Sequence, residues 1–193
     1  INKYSHKIAN ILNCVQNSEG IIMIYSKYID GGCIPVALAL EEMGFKRFGT
    51  NKSLMKKSQP AIDYKTFKQR NDGDNVFPAK YAMITGNKSI SPNIEDEITA
   101  CTSDKNKDGK YVKVIIISKA ASEGLDFKYI RQIHIMDPWF NMNRNEQIIG
   151  RTVRFCSHSL LELRKRNVEI YMYATMLKKT QSLELDGLVV KWV

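Results

Sequence analysis

The sequence predicts an α/β sandwich around a mostly parallel sheet, and three observations carry that expectation. Short apolar runs, IIMIYS at 21–26 and YVKVIIIS at 111–118, read as strands covered on both faces rather than on one. They alternate with segments whose apolar residues recur at helical spacing. Strand followed by helix followed by strand favours parallel pairing through right-handed crossovers.

The elements follow in order. YSHKIANILNCVQNSEG places Tyr4, Ile8, Ile11, Leu12 and Val15 on one helical face, with Gly20 positioned to end the helix. The strand at 21–26 comes next, then a helix from about residue 34 (IPVALALEEMGF) stopped by Gly44. From 46 to 80 the chain is basic, polar and punctuated by Pro, Gly and Asn-Asp-Gly, and reads as an insertion or mobile loop with at most short elements of its own. YAMITG (81–86) is a strand. Ser91 and Pro92 read as the N-cap and first position of a helix reaching about Cys101. After a polar loop come the strand at 111–118, a strand at 131–137 (RQIHIMD), a helix across 145–158 and a last strand at 167–175. No internal repeat is visible.

The chain has 193 residues, 44 % hydrophobic and 25 % charged, which is ordinary for one globular domain. Its apolar runs are too short to span a bilayer and no secretory leader opens it, so a membrane partner is not expected. It begins at Ile1 rather than Met, and a piece of a longer protein is expected. The net charge of +9 points to a polyanionic partner such as nucleic acid, or to a lysine-rich solvated surface. Cys14, Cys33, Cys101 and Cys156 are scattered without metal-ligand spacing, as in a reduced intracellular protein; no metal site is expected.

In a parallel sheet, ligands bind beyond the C-terminal ends of the strands. That directs attention to Ser26-Lys27, to Thr85-Gly86-Asn87, to SKAASEGLDF at 118–127 with Ser118, Gly124 and Asp126, and to DPWFN at 137–141. Two other motifs do not carry chemistry. GFKRFGT from Gly44 has phosphate-loop glycines, but Thr50 stands where the lysine must be. IEDEIT from Ile94 resembles an acidic metal box, yet reads as part of an amphipathic helix. The stretch NEQIIGRTVRFCSH places Gln147, Gly150, Arg151 and Arg154 on one face of a helix beside an apolar strip. Paired guanidinium groups there suit phosphate, because each planar fork offers two parallel charge-assisted bonds and never deprotonates.

These residues resemble a known family. NEQIIGRTVR is similar to motif VI of superfamily 2 helicases and translocases (QxxGRxxR), SKAASEGLDF to their motif V, and IIMIYSKY with its following helix and GF to motif IV. With YAMITG, DPWFN and the RFCSH tail, the likeness is greatest to helicase-like nucleoside triphosphatases of large cytoplasmic DNA viruses of the poxvirus, asfarvirus and mimivirus type. The resemblance implies a RecA-like three-layer sandwich over 1–193, the second of two motor domains, with the 46–80 insertion. It implies ATP with Mg2+ held mainly by the N-terminal RecA-like domain of the same protein. Gln147, Arg151 and Arg154 would face that ATP, Arg154 as the arginine finger, with Gly124, Asp126 and Gly150 near the nucleotide. Ser26, Lys27, Thr85, Gly86 and Ser118 would touch the backbone of DNA or RNA. Viral transcription machinery is an implied partner, and the host cytoplasm or the virion an implied location. Glu123 departs from the arginine of related RNA helicases. The alternatives are a duplex DNA translocase and a non-catalytic nucleic-acid-binding module with a motor fold.

The remaining candidates read mainly as structure. Trp139 and Phe140 are packing anchors or base-stacking rings, His134 a structural histidine within a strand, and His158 beside Cys156 no more than a neighbouring pair. The basic LRKRN at 163–167 extends the positive surface, and the apolar LDGLVVKWV at 185–193 is expected to continue or pack on something further.

Overall fold

Strand β1 (Ile21–Ser26) is buried at every position, and β4 (Val114–Ser118) beside it likewise. Strands with no solvated face need helices on both sides, and the computed structural model, which describes residues 5–49, 53–69, 77–119 and 124–175, supplies them. Six strands, with β2 (Lys46–Arg47), β3 (Lys80–Ile84), β5 (Ile130–Ile135) and β6 (Glu169–Met172), form a wholly parallel sheet in the order β2-β3-β4-β1-β5-β6. Register pairs Ser26 with Ser118, so β1 and β4 end together.

Alternate residues of the strands feed two cores. One, with Ile22, Ile24, Val114 and Ile116, is covered by α1 (His6–Gln16) and α2 (Ile34–Glu42). The other, with Met23, Tyr25, Ile115, Ile117 and Ile133, is covered by α3 (Ile94–Thr102) and α4 (Met142–Ile149). This is the expected three-layer α/β sandwich. Helix α1 starts where the Ser5 hydroxyl accepts the Ile8 N–H at 3.2 Å, and it buries Ile8, Ile11, Leu12 and Val15 as their spacing requires. A π-helical turn at Ile29–Cys33 leads into α2. It comes so close to β1 that a Cβ on Gly32 would stand 1.9 Å from the Ser26 hydroxyl oxygen.

Two expectations need correction, while the segment 46–80 carries short elements of its own. Lys46–Arg47 forms the edge strand, Ile62 enters the core, and isolated bridges join Ile62 to Gln69 and Asp63 to Pro78. The buried Glu41 carboxylate fastens it by accepting from the Leu54 and Met55 N–H groups and from the Ser53 and Tyr81 hydroxyls, and these bonds hold the acid below its usual range against the opposing effect of burial. Ser91 does not cap a helix: its hydroxyl donates to the Met83 carbonyl and accepts from Thr85, so α3 starts after Asn93. The helix across 145–158 ends at Ile149, with Gly150 at its C-cap. Glu123 and the 185–193 segment lie outside the described residues.

Candidate functional site

The sequence-predicted residues fall into two groups. The first sits where strands end. Ser26 is fully buried, and its hydroxyl donates to Asp137 Oδ2 at 2.6 Å while accepting the Tyr28 N–H at 3.2 Å. The Thr85 hydroxyl is buried against Ser91 at 2.8 Å. The Ser118 hydroxyl is buried and has no hydrogen-bond partner among the described residues. Lys27 and Gly86 reach the surface, and the Lys27 ammonium lies 4.5 Å from the Trp139 ring centre. Three residues complete this rim, Asp137 from the DPWFN segment and two that sequence reasoning missed, Arg144 and Asn145. Asp137 holds Ser26, Arg144 stacks its guanidinium 4.6 Å from the other neighbour of Lys27, Trp139, and Asn145 pins the Trp139 backbone by bonds of 3.1 Å to both its N–H and its carbonyl. A polar residue three positions into α4 on its buried side was the legible signal for Asn145. Phe140 is exposed rather than an anchor.

The second group forms lower on the sheet. Helix α4, capped by the Asn141 side chain on the Asn143 N–H at 3.0 Å, runs back from the end of β5 and buries Asn145 and Ile148. It leaves Gln147 exposed. After Gly150 the chain turns, and its backbone attaches to the segment that enters β5. The Phe127 N–H donates to the Arg151 carbonyl at 3.0 Å, and the Tyr129 N–H to the Ser157 carbonyl at 3.1 Å. His158 bonds the Ile130 carbonyl through Nε2 at 2.7 Å and Ser157 through Nδ1 at 2.7 Å. Tyr129 and Cys156 take left-handed backbone with φ of 61° to make these turns.

This attachment brings Arg154 to Asp126, Nη1 to Oδ2 at 2.5 Å, with each side chain 53 % exposed. The Arg154 Nε donates to the Gly150 carbonyl at 3.1 Å, so the close offset survives although the helix does not. Gly124, with φ of 80°, opens the segment, and a Cβ there would meet nothing within 4 Å. Gly150 is exposed and right-handed helical, so its conformation does not require glycine. The Arg151 guanidinium, half-buried, and the Gln147 amide have no side-chain partner among the described residues. The structure therefore groups Gly124, Asp126, Gly150, Arg151 and Arg154, and leaves Ser26, Lys27, Thr85, Gly86 and Ser118 on the strand-end rim. Free guanidinium and amide groups beside an open backbone fit the oxygens of a phosphate chain. No group of three or more His, Cys, Asp or Glu among the described residues is placed for a metal ion, so these donors fit the phosphates rather than the metal.

His134 is a structural residue. Fully buried, it bonds the Tyr173 hydroxyl at 2.7 Å and stacks on the Tyr171 ring at 4.8 Å, and burial lowers its pKa to about 4. Among the described residues no helix is long and apolar enough to cross a membrane.

Comparison with known proteins identifies the family. The family described as helicase conserved C-terminal domain matches residues 6–156. A protein of Acanthamoeba polyphaga mimivirus, named a candidate ATP-dependent RNA helicase, is 33 % identical over 174 residues, covering 90 % of this chain and 26 % of the relative. The termination factor NPH-I homolog of African swine fever virus is 31 % identical over 183 residues, covering 88 % of this chain and 26 % of that protein. The chain thus spans about a quarter of the length of these relatives. The C-terminal part of the Fun30 ATPase domain shares the fold, with a TM-score of 0.51 at 15 % identity over 88 % of this chain and 41 % of that one. The chain belongs to the helicase conserved C-terminal domain family, in the superfamily 2 branch found in large DNA viruses.

Proposed function

We propose that this chain is the second RecA-like domain of an ATP-dependent nucleic-acid motor, and that it sets Arg154, with Arg151 and Gln147, against the phosphates of an ATP held by a preceding domain. The observation that carries the reading is the juxtaposition at the arginine turn: an exposed Arg154 on Asp126, with the Arg151 and Gln147 groups uncommitted beside it. An arginine offered across a domain boundary stabilises the charge that develops on a transferring phosphoryl group, by about 10³ to 10⁵ in rate. The exposed Asp126–Arg154 pair is a weak restraint, worth about 0–1 kcal/mol. Phosphate oxygens can therefore take the guanidinium from Asp126 when the two domains close. Mg2+ would neutralise the phosphates from the preceding domain's side.

Closure around ATP and reopening after hydrolysis would shift the grip on a nucleic-acid strand. Lys27 and Gly86, at the surface, are the rim groups that support a backbone-contacting track, which positions without reading sequence. The name of the African swine fever virus relative supports a place in viral transcription for the parent protein. The deciding experiment is nucleic-acid-stimulated ATP hydrolysis by the parent protein, wild type against Arg154→Ala. The expected result is a loss of at least about a hundredfold in turnover with ATP binding retained. Unchanged turnover would sink the reading and leave a nucleic-acid-binding module. The chain by itself is expected to hydrolyse no ATP, and turnover by a pure sample of it would contradict the assignment of the nucleotide to another domain.

A further inference from the structure

Where β1, β4 and β5 begin there is a cavity of about 470 Å³. Its most buried cation is Lys113, 2 % exposed and placed just before β4, whose ammonium donates to the Ser18 carbonyl at 3.2 Å and lies 5.5 Å from the Phe67 ring centre. An ammonium can donate three hydrogen bonds, and one withdrawn from water is costly to leave short of acceptors. Lys65, Lys107, Arg131 and Lys165, from four further segments, line the same space.

Two carboxylates, Glu19 and Asp108, also line it, but they do not neutralise the cluster. Among the described residues none of the five cations has a carboxylate oxygen within the 4.0 Å of an ion pair. The Arg131 guanidinium is turned onto Asn167 and the Lys113 ammonium onto the Ser18 carbonyl, which leaves Lys65, Lys107 and Lys165 as the lysines to meet a ligand first. Lysines from separate segments suit a compact anion carrying more than one charge, approached from several sides as by point charges. A single carboxylate would not offset them.

We propose that this recess is a phosphate site, occupied by a phosphodiester of nucleic acid or by a free oligophosphate, and distinct from the Asp126–Arg154 pair, with which it shares no lining residue. The lysines lie far apart in sequence, so no motif announces the site. If nucleic acid fills it, the strand has a second hold on the domain away from the strand-end rim.

The test titrates the 193-residue chain with tripolyphosphate, and separately with a single-stranded DNA of about 20 nucleotides, at fixed ionic strength. The variants are Lys113→Met and the rim pair Lys107→Gln with Lys165→Gln, the latter two being surface changes that leave the fold alone. Lys56→Gln with Lys57→Gln, two exposed lysines outside both sites, is the charge-matched control. Affinity for at least one probe is expected to fall about tenfold or more in the rim variant, a difference of about 1.4 kcal/mol, and to persist in the control. A parallel fall for DNA, with competition between the probes, assigns the site to the nucleic-acid backbone. A fall for tripolyphosphate alone assigns it to a free oligophosphate. If neither affinity falls in the rim variant, or if whatever binding falls there is equally lost with Lys56→Gln and Lys57→Gln, the proposal is overturned.

Discussion

The strand-end rim and the arginine turn are both polar, but they hold their polar groups in opposite ways. At the rim, Ser26 and Thr85 are buried and spend their hydroxyls on Asp137 and Ser91. At the turn, Arg154 and Asp126 meet in the open, and Arg151 and Gln147 keep their side chains uncommitted. A buried hydroxyl on a carboxylate is expensive to disturb, whereas an exposed ion pair costs little to exchange. The rim is therefore fixed architecture, while the ion pair at the turn is only weakly held.

The contrast can be broken or sharpened by substitution. The largest effect expected is Arg154→Ala on turnover of the parent protein, at least about a hundredfold, which corresponds to about 2.7 kcal/mol of transition-state stabilisation. Gly32→Ala should cost at least about 2 kcal/mol of stability in chemical denaturation, because the new methyl group collides with Ser26 in a packed interior. Ser26→Ala should cost about 1–3 kcal/mol by removing its hydrogen bond to the Asp137 carboxylate, which would still face the Lys7 ammonium at 3.8 Å; a neutral result would show that the rim is not rigid.

His134 gives a pH test. Its folded pKa of about 4 lies below the ordinary 6.5, so between those values the unfolded chain takes up a proton that the folded chain refuses. Its contribution is present above about pH 6.5 and is lost as the pH falls toward 4, by up to about 1.4 kcal/mol per pH unit. Urea unfolding at several pH values should show this slope as the difference between the wild type and His134→Gln, because the buried Glu97 carboxyl, pushed up to about 7, opposes it over the same range, and an NMR titration should keep the ring neutral at pH 5. The smallest effect belongs to Asp126→Asn, expected to change stability by no more than about 1 kcal/mol; a larger loss would mean that the turn is as fixed as the rim.

Much of this was legible in the sequence. Ile21–Ser26 and Val114–Ser118 have no polar face, and that alone forces helices onto both sides of the sheet. The grouping of Asp126 with Arg154 was legible only through the family resemblance. Where the arginine helix stops was not legible, since offsets of three and four are met by a helix and also by consecutive turns. Here a tertiary bond decides: the Arg151 carbonyl receives the Phe127 N–H, and the chain leaves the helical path. Ser91 failed as a cap for a similar reason, because Met83 and Thr85 claim its hydroxyl. The recess around Lys113 was invisible because its cations come together only after folding.

The bonds joining 127–130 to 151–158 form a short ladder of three rungs, Phe127 to Arg151, Tyr129 to Ser157, and Ile130 to His158. A ladder pulled along its length is loaded in shear, with its rungs sharing the force instead of parting one after another. The three rungs tie the turn that carries Arg154 to the root of β5, which sits beside the central strand of the sheet. The turn is thus fastened to the sheet by its backbone, while its charged side chains stay at the surface.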